Sequence, residues 1–310
     1  MTLGRARRAR ARALVVPMLM SAPMWLVVGE LTLGWYDSVR HLGRYGPAAL
    51  TLVVLLLLAA AADTGPGERW LARLVLRARA PRLHQRHTLA PVAEILLRHG
   101  VPPQRLVLLV GPGQQVGVTA LGRRTVVVSR GLIDAVWSGQ LRPQQAAAVI
   151  THEVGVMRSG LTRHDPAIMV LLAPWTVWIT WIAIMWGVVA AFLSHRVMVA
   201  CLVIHAGVGI WLGATEDPAM YVSTVVMAVV LATWWSIRSW DRARAQVGDQ
   251  YLLQADLAGV YADLLTATFN NDDYTRDRAV RLRHPQLQHG PSVVGDGPPV
   301  ASAVLSTTGR

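Results

Sequence analysis

The residue pair best suited to chemistry is His152-Glu153, inside the stretch Ala146-Ala-Ala-Val-Ile-Thr-His-Glu-Val-Gly-Val-Met-Arg-Ser-Gly160. In the helical pattern H-E-x-x-H, two histidines four residues apart share one face and ligate zinc. The glutamate beside them acts as general base. Here the spacing runs His152, Glu153 and then Val156, so the second imidazole is missing. The stretch suggests a metallopeptidase helix and, in the same residues, argues against a working zinc site.

Local signals define the elements that must position the pair. Pro143 sits where a first-turn proline is tolerated, an alanine run follows, and Gly160 can close the helix. Upstream, Leu106–Val110 and Thr125–Ser129 read as strands and Val116–Leu121 as a weaker one, with Gly-Pro-Gly at 111–113 turning between them. Leu89–His99 reads as a helix ending at Gly100, and Gly131–Val136 begins another. Glu68–Ala80 is amphipathic and basic, a pattern that lies on a cytoplasmic leaflet or on a solvated surface. Downstream, Arg242–Leu265 reads as a polar helix containing Gln254-Ala-Asp256-Leu-Ala258. This order predicts a small sheet packed on helices.

Composition places these elements beside a membrane. The chain has 310 residues, 53% of them hydrophobic, and a mean hydropathy of +0.37. That is too apolar for an ordinary soluble domain. Residues 13–35 and Ala48–Ala62 are apolar runs, the first an uncleaved anchor behind five arginines, with Glu30 near its outer end. Three more follow at Pro166–Leu193, Val197–Gly213 and Pro218–Ile237. All 30 basic side chains are arginine, and the net charge is +12. In so apolar a chain, arginine-rich segments mark the cytoplasmic side and face anionic lipid, so membrane lipids are expected as partners and nucleic acid is not. The arginine-rich segments 1–12, 63–165 and 238–310 then lie inside. An even number of crossings must connect the last two, so two of the three late runs span and one is re-entrant, interfacial or bent. Cys201 is the single cysteine, which excludes a disulfide framework or a cysteine metal site.

Residues 1–290 resemble the HtpX-like, zinc-dependent membrane metallopeptidases, a group that includes the CAAX prenyl proteases. The resemblance lies in an ordered set: two N-terminal spans, Gly100-Val-Pro-Pro103, Thr125-Val-Val-Val-Ser-Arg-Gly-Leu132, His152-Glu-Val-Gly155, further spans, Ala255-Asp256 and Arg283-His-Pro-Gln-Leu287. It implies a mainly α, polytopic protein of the bacterial inner membrane with about four transmembrane helices. A zincin-like α+β cytoplasmic domain with a small sheet would act on membrane proteins. The implied organisation is a tail and two spans in 1–62, a peptidase-like domain in 63–165 and a membrane region in 166–237. A helix in 238–270 completes the domain, and a tail in 271–310 is largely disordered at its end.

The resemblance also assigns roles. His152 matches the first zinc ligand, Glu153 the base and Asp256 a supporting aspartate. Val156 stands at the second ligand position. The third, normally glutamate, is Leu252, and no glutamate follows Glu216. The substrate-binding edge strand corresponds to Gly117-Val-Thr-Ala120. Catalytic zinc needs three protein ligands and an open position, and valine and leucine donate nothing. His164 and Asp249 are conceivable substitute ligands beside His152. Three readings follow: a pseudopeptidase that binds membrane proteins without zinc, an active zinc metalloendopeptidase with substitute ligands, and a non-enzymatic membrane subunit or assembly factor.

Overall fold

A long N-terminal helix, α1 (Leu3–Leu33), opens the chain. In this computed structural model the described residues are 3–33, 46–192, 195–215, 220–268 and 273–284. At ~1.5 Å per residue, α1 is ~46 Å long, more than the ~30 Å hydrocarbon layer it is apolar enough to cross. That length is enough to leave its arginine-rich first turns outside a layer of that thickness.

The next elements bend. Helix α2 (Gly46–Ala62) meets α3 (Gly65–Val75) at 103°. Thr64 makes the corner: its Oγ1 donates to the Ala61 carbonyl at 2.6 Å and accepts from Gly67 N at 3.2 Å. A Cβ on Gly67 would collide with Ala61, so only glycine allows this approach. Helix α3 stops at Val75, short of the helix expected over Glu68–Ala80, because Arg79 pairs with Val110 in an isolated bridge. Glu68, on a helix expected to lie at a surface, is only 2% exposed. It accepts from Arg123 N at 2.9 Å and Thr125 Oγ1 at 3.3 Å, tying α3 to a turn where Gly122 has φ +66°.

Helix α4 (Leu83–Arg98) begins earlier than expected and ends before Gly100, whose φ is +72°. Strands β1 (Val107–Gly111), β2 (Val118–Leu121) and β3 (Thr125–Ser129) form a sheet in the order β1-β3-β2. The central β3 runs parallel to β1 and antiparallel to β2, with Val107 opposite Thr125 and Val118 opposite Val128. Val126, Val127 and Val128 are buried, as a central strand's apolar run requires. Arg79 covers the outer side of β1, and β2 forms the other edge.

Helix α5 (Arg130–Trp137) leads to α6 (Pro143–Arg158), the His-Glu helix. Helices α7 (Asp165–Leu171) and α8 (Ala173–Phe192) meet at a 70° bend, and α9 (His195–Thr215) follows. Among the described residues one helix is long and apolar enough to span a membrane alone, and up to three spans result if each bent pair counts as one.

Helix α10 (Met220–Gln254) joins the expected apolar run and the expected polar helix into one 35-residue element. The break falls later, at Ala255–Leu257, where Asp256 has φ +54°. Aspartate tolerates that left-handed conformation better than most side chains. Contacts divide the chain into Met1–Leu257 and Ala258–Arg310. In the second unit, α11 (Ala258–Thr268) packs on α12 (Asp273–Arg283) through buried Ala262, Leu265, Ala279 and Leu282, and Arg283 reaches Asp263 at 2.8 Å. The expected disordered end lies outside the described residues.

Candidate functional site

Helix α6 is held where its sequence predicts. Pro143 occupies the first turn, the Gln145 side chain accepts from Arg142 N at 3.0 Å, and Gly160 follows with φ +75°. Ala146, Ala147 and Ala148 are fully buried, so their small side chains let neighbouring elements approach closely. The face of α6 that presents His152 and Glu153 meets α10 and the edge strand β2.

His152 is 6% exposed and enclosed. Its Nε2 lies 3.2 Å from the Ala245 carbonyl oxygen. A carbonyl only accepts, so this bond places a proton on Nε2. Asp249 Oδ1 lies 3.5 Å from the same nitrogen, and Glu153 Oε1 lies 3.5 Å from Nδ1. Gly248 presses on the ring from α10, and any Cβ there would overlap the imidazole. A glycine in mid-helix costs ~1 kcal/mol relative to alanine, and close approach to His152 is its reason here.

Glu153 is held more tightly still. Its Oε2 accepts from Arg244 at 2.5 Å and from the backbone N–H of Ala120 at 3.2 Å. Burial alone would raise its pKa. The His152 hydrogen bond and the Arg244 and His152 charges outweigh burial and lower it from 4.5 to about 2. A general base works best with a pKa near the operating pH, and this carboxylate is far below it and already engaged by two donors. Ala120 belongs to the edge strand β2, where an extended peptide would add by backbone hydrogen bonds. The Ala120 N–H bonds Glu153 instead.

The other residues singled out by sequence lie in differing surroundings. Val156 is fully buried in an apolar cluster with Ala6, Leu161, Ala243 and Val247, and Leu252 is fully buried. His164 turns to Asp63, 3.0 Å from its Nδ1, and Asp63 also faces Arg123 at 3.6 Å. Asp249 does approach His152. Asp256 is exposed at the break after α10. Among the described residues, no three His, Cys, Asp or Glu side chains converge as a metal site. The donor set does not fit zinc as arranged. The His152 Nε2 proton is committed to a carbonyl and Glu153 to a guanidinium, and Val156 and Leu252, which the resemblance would set at ligand positions, offer only hydrocarbon.

Arg244, Gly248 and the Ala120 N–H were not singled out by sequence. Arg244 is one of 30 arginines, and nothing in its spacing marks it. Gly248 did offer a signal, a glycine inside the expected polar helix. Neither family models, nor curated proteins, nor solved structures give a match to this chain.

Proposed function

We propose that this chain is a membrane-embedded, metallopeptidase-like protein that binds membrane-protein segments and does not cut them. One observation supports the loss of catalysis above the rest: Glu153, to which the resemblance assigns the activation of water, is tied to Arg244 and to Ala120 N. With Val156 and Leu252 at the other ligand positions, the His-Glu pair serves to join α6, α10 and β2. The partner class follows from the resemblance to HtpX-like peptidases and from the apolar N-terminal helix. The setting is a bacterial inner membrane, crossed several times, with the N-terminus and the peptidase-like domain on the cytoplasmic side.

The test is metal content and proteolysis measured together on the purified full chain. The expected result is far less than one zinc per chain, unchanged in His152→Ala, and no cleavage of an unfolded membrane-protein substrate with zinc supplied. Stoichiometric zinc that disappears in His152→Ala would overturn the proposal. The approach of Asp249 to His152 keeps a second reading open, an active metalloendopeptidase using substitute ligands. That reading requires zinc to be lost in Asp249→Ala as well.

A further inference from the structure

Away from the His-Glu site, α1 and α10 flank an open, solvent-facing cavity of about 400 Å³. Arg5, Arg8 and Arg12 line it from α1; Ser239, Arg242 and Gln246 line it from α10. Each set follows the spacing i, i+3, i+7, which places it on one helix face. Ala9 and Ala243 lie between them and leave the space open. The two helices touch through Ala6, buried with Ala243 and Val247.

The three guanidinium groups that α1 brings to this cavity repel each other unless an anion joins them. No acidic side chain is among the residues that line it. The neighbouring arginines of the same helices contrast sharply. Arg10 has Asp165 at 2.5 Å, and Arg244 has Glu153 at 2.5 Å. Carboxylates thus serve Arg10 and Arg244, which lie outside the cavity. Arg5, Arg8 and Arg12 make no ion pair or hydrogen bond among the described residues.

The cavity lies where both helices change character. Arg12 directly precedes the apolar part of α1, and Ser239 follows an apolar run ending at Ile237. Arg238 stacks over Trp234 at 3.9 Å, Trp235 is 72% exposed and Arg10 lies over Trp240 at 6.0 Å. Tryptophan and arginine together at an apolar–polar boundary are the composition of a membrane interface. Phosphates of lipid headgroups lie at that depth, and guanidinium groups bind phosphate oxygens in pairs.

We propose that this cavity binds the phosphodiester headgroup of an anionic phospholipid. It does so whether or not the His-Glu site is catalytic.

The full-length protein, reconstituted in bilayers of phosphatidylcholine with phosphatidylglycerol, is extracted and its retained lipids are counted by native mass spectrometry. Wild-type protein is expected to retain phosphatidylglycerol over phosphatidylcholine. Arg5→Gln/Arg8→Gln/Arg12→Gln is expected to lose that preference by on the order of a hundred-fold, as removal of three interfacial cations implies. The charge-matched Arg86→Gln/Arg124→Gln/Arg130→Gln, remote from the cavity, is expected to keep it. Equal loss in the two triples would mean attraction by general charge and would overturn the site. Displacement of the lipid by inorganic phosphate at equal concentration would overturn a lipid ligand in favour of a free anion. If the cavity triple does not fold, Arg8→Gln alone should weaken retention several-fold, and unchanged retention in it sinks the proposal.

Discussion

At the scale of single residues, the Glu153 carboxylate links α6 to α10 and β2. Its folded-state pKa of about 2 lies below the ordinary 4.5. A depressed carboxylate pKa contributes stability above pH 4.5, and that contribution is lost as pH falls toward 2. The difference corresponds to about 3 kcal/mol as an upper figure. Glu153→Gln should therefore lower the thermal midpoint at pH 7 and flatten the decline between pH 4.5 and 2; an unchanged acid limb in a melting series would refute the ion-pair role. Gly248 gives a second test. Gly248→Ala should destabilise by ~1–3 kcal/mol, because a Cβ overlaps the His152 ring. In the His152→Ala background the same change should cost much less, since the ring is gone. Additive losses in that double-mutant cycle would mean the two residues do not touch.

At the scale of elements, the informative one is β2. The Ala120 N–H on this edge strand is engaged by Glu153 from α6. Amide exchange at Ala120 should be slow in wild-type protein and fast in Glu153→Ala, with β3 amides unchanged; equal exchange in both would place another acceptor there. The break after α10 supplies an independent test of Asp256. As a left-handed residue it should accept Asp256→Gly with no loss of stability, whereas Asp256→Val should destabilise by ~1–2 kcal/mol. Loss in both variants would restore the supporting role that the resemblance assigns. The strands and the His-Glu helix were legible in sequence to within about two residues, because their periodicity and turn residues are local. The end of α3 was not, because pairing of Arg79 with Val110 stops it, and that contact spans distant sequence.

At the scale of the whole molecule, the expected topology has the arginine-rich segments on one side. In Cys201→Ala protein, new cysteines at Ser38, Ser129 and Ser302 should differ: a membrane-impermeant reagent added outside should modify only Ser38→Cys. Labelling of Ser129→Cys from outside would put the His-Glu helix on the opposite face and invert the arrangement.

The sequence by itself determined the His-Glu helix between Pro143 and Gly160, the three short strands, the apolar runs and the absence of a second histidine. These are properties of spacing, which neighbouring residues encode through backbone geometry and side-chain periodicity. Only the tertiary structure decided what faces the pair. Arg244 lies 91 residues from Glu153 and Ala120 lies 33 away. One arginine among 30 becomes the partner because α10 packs on α6 with Gly248 against His152. A carboxylate's pKa depends on the charges within a few ångströms of it, and packing of distant elements sets those charges.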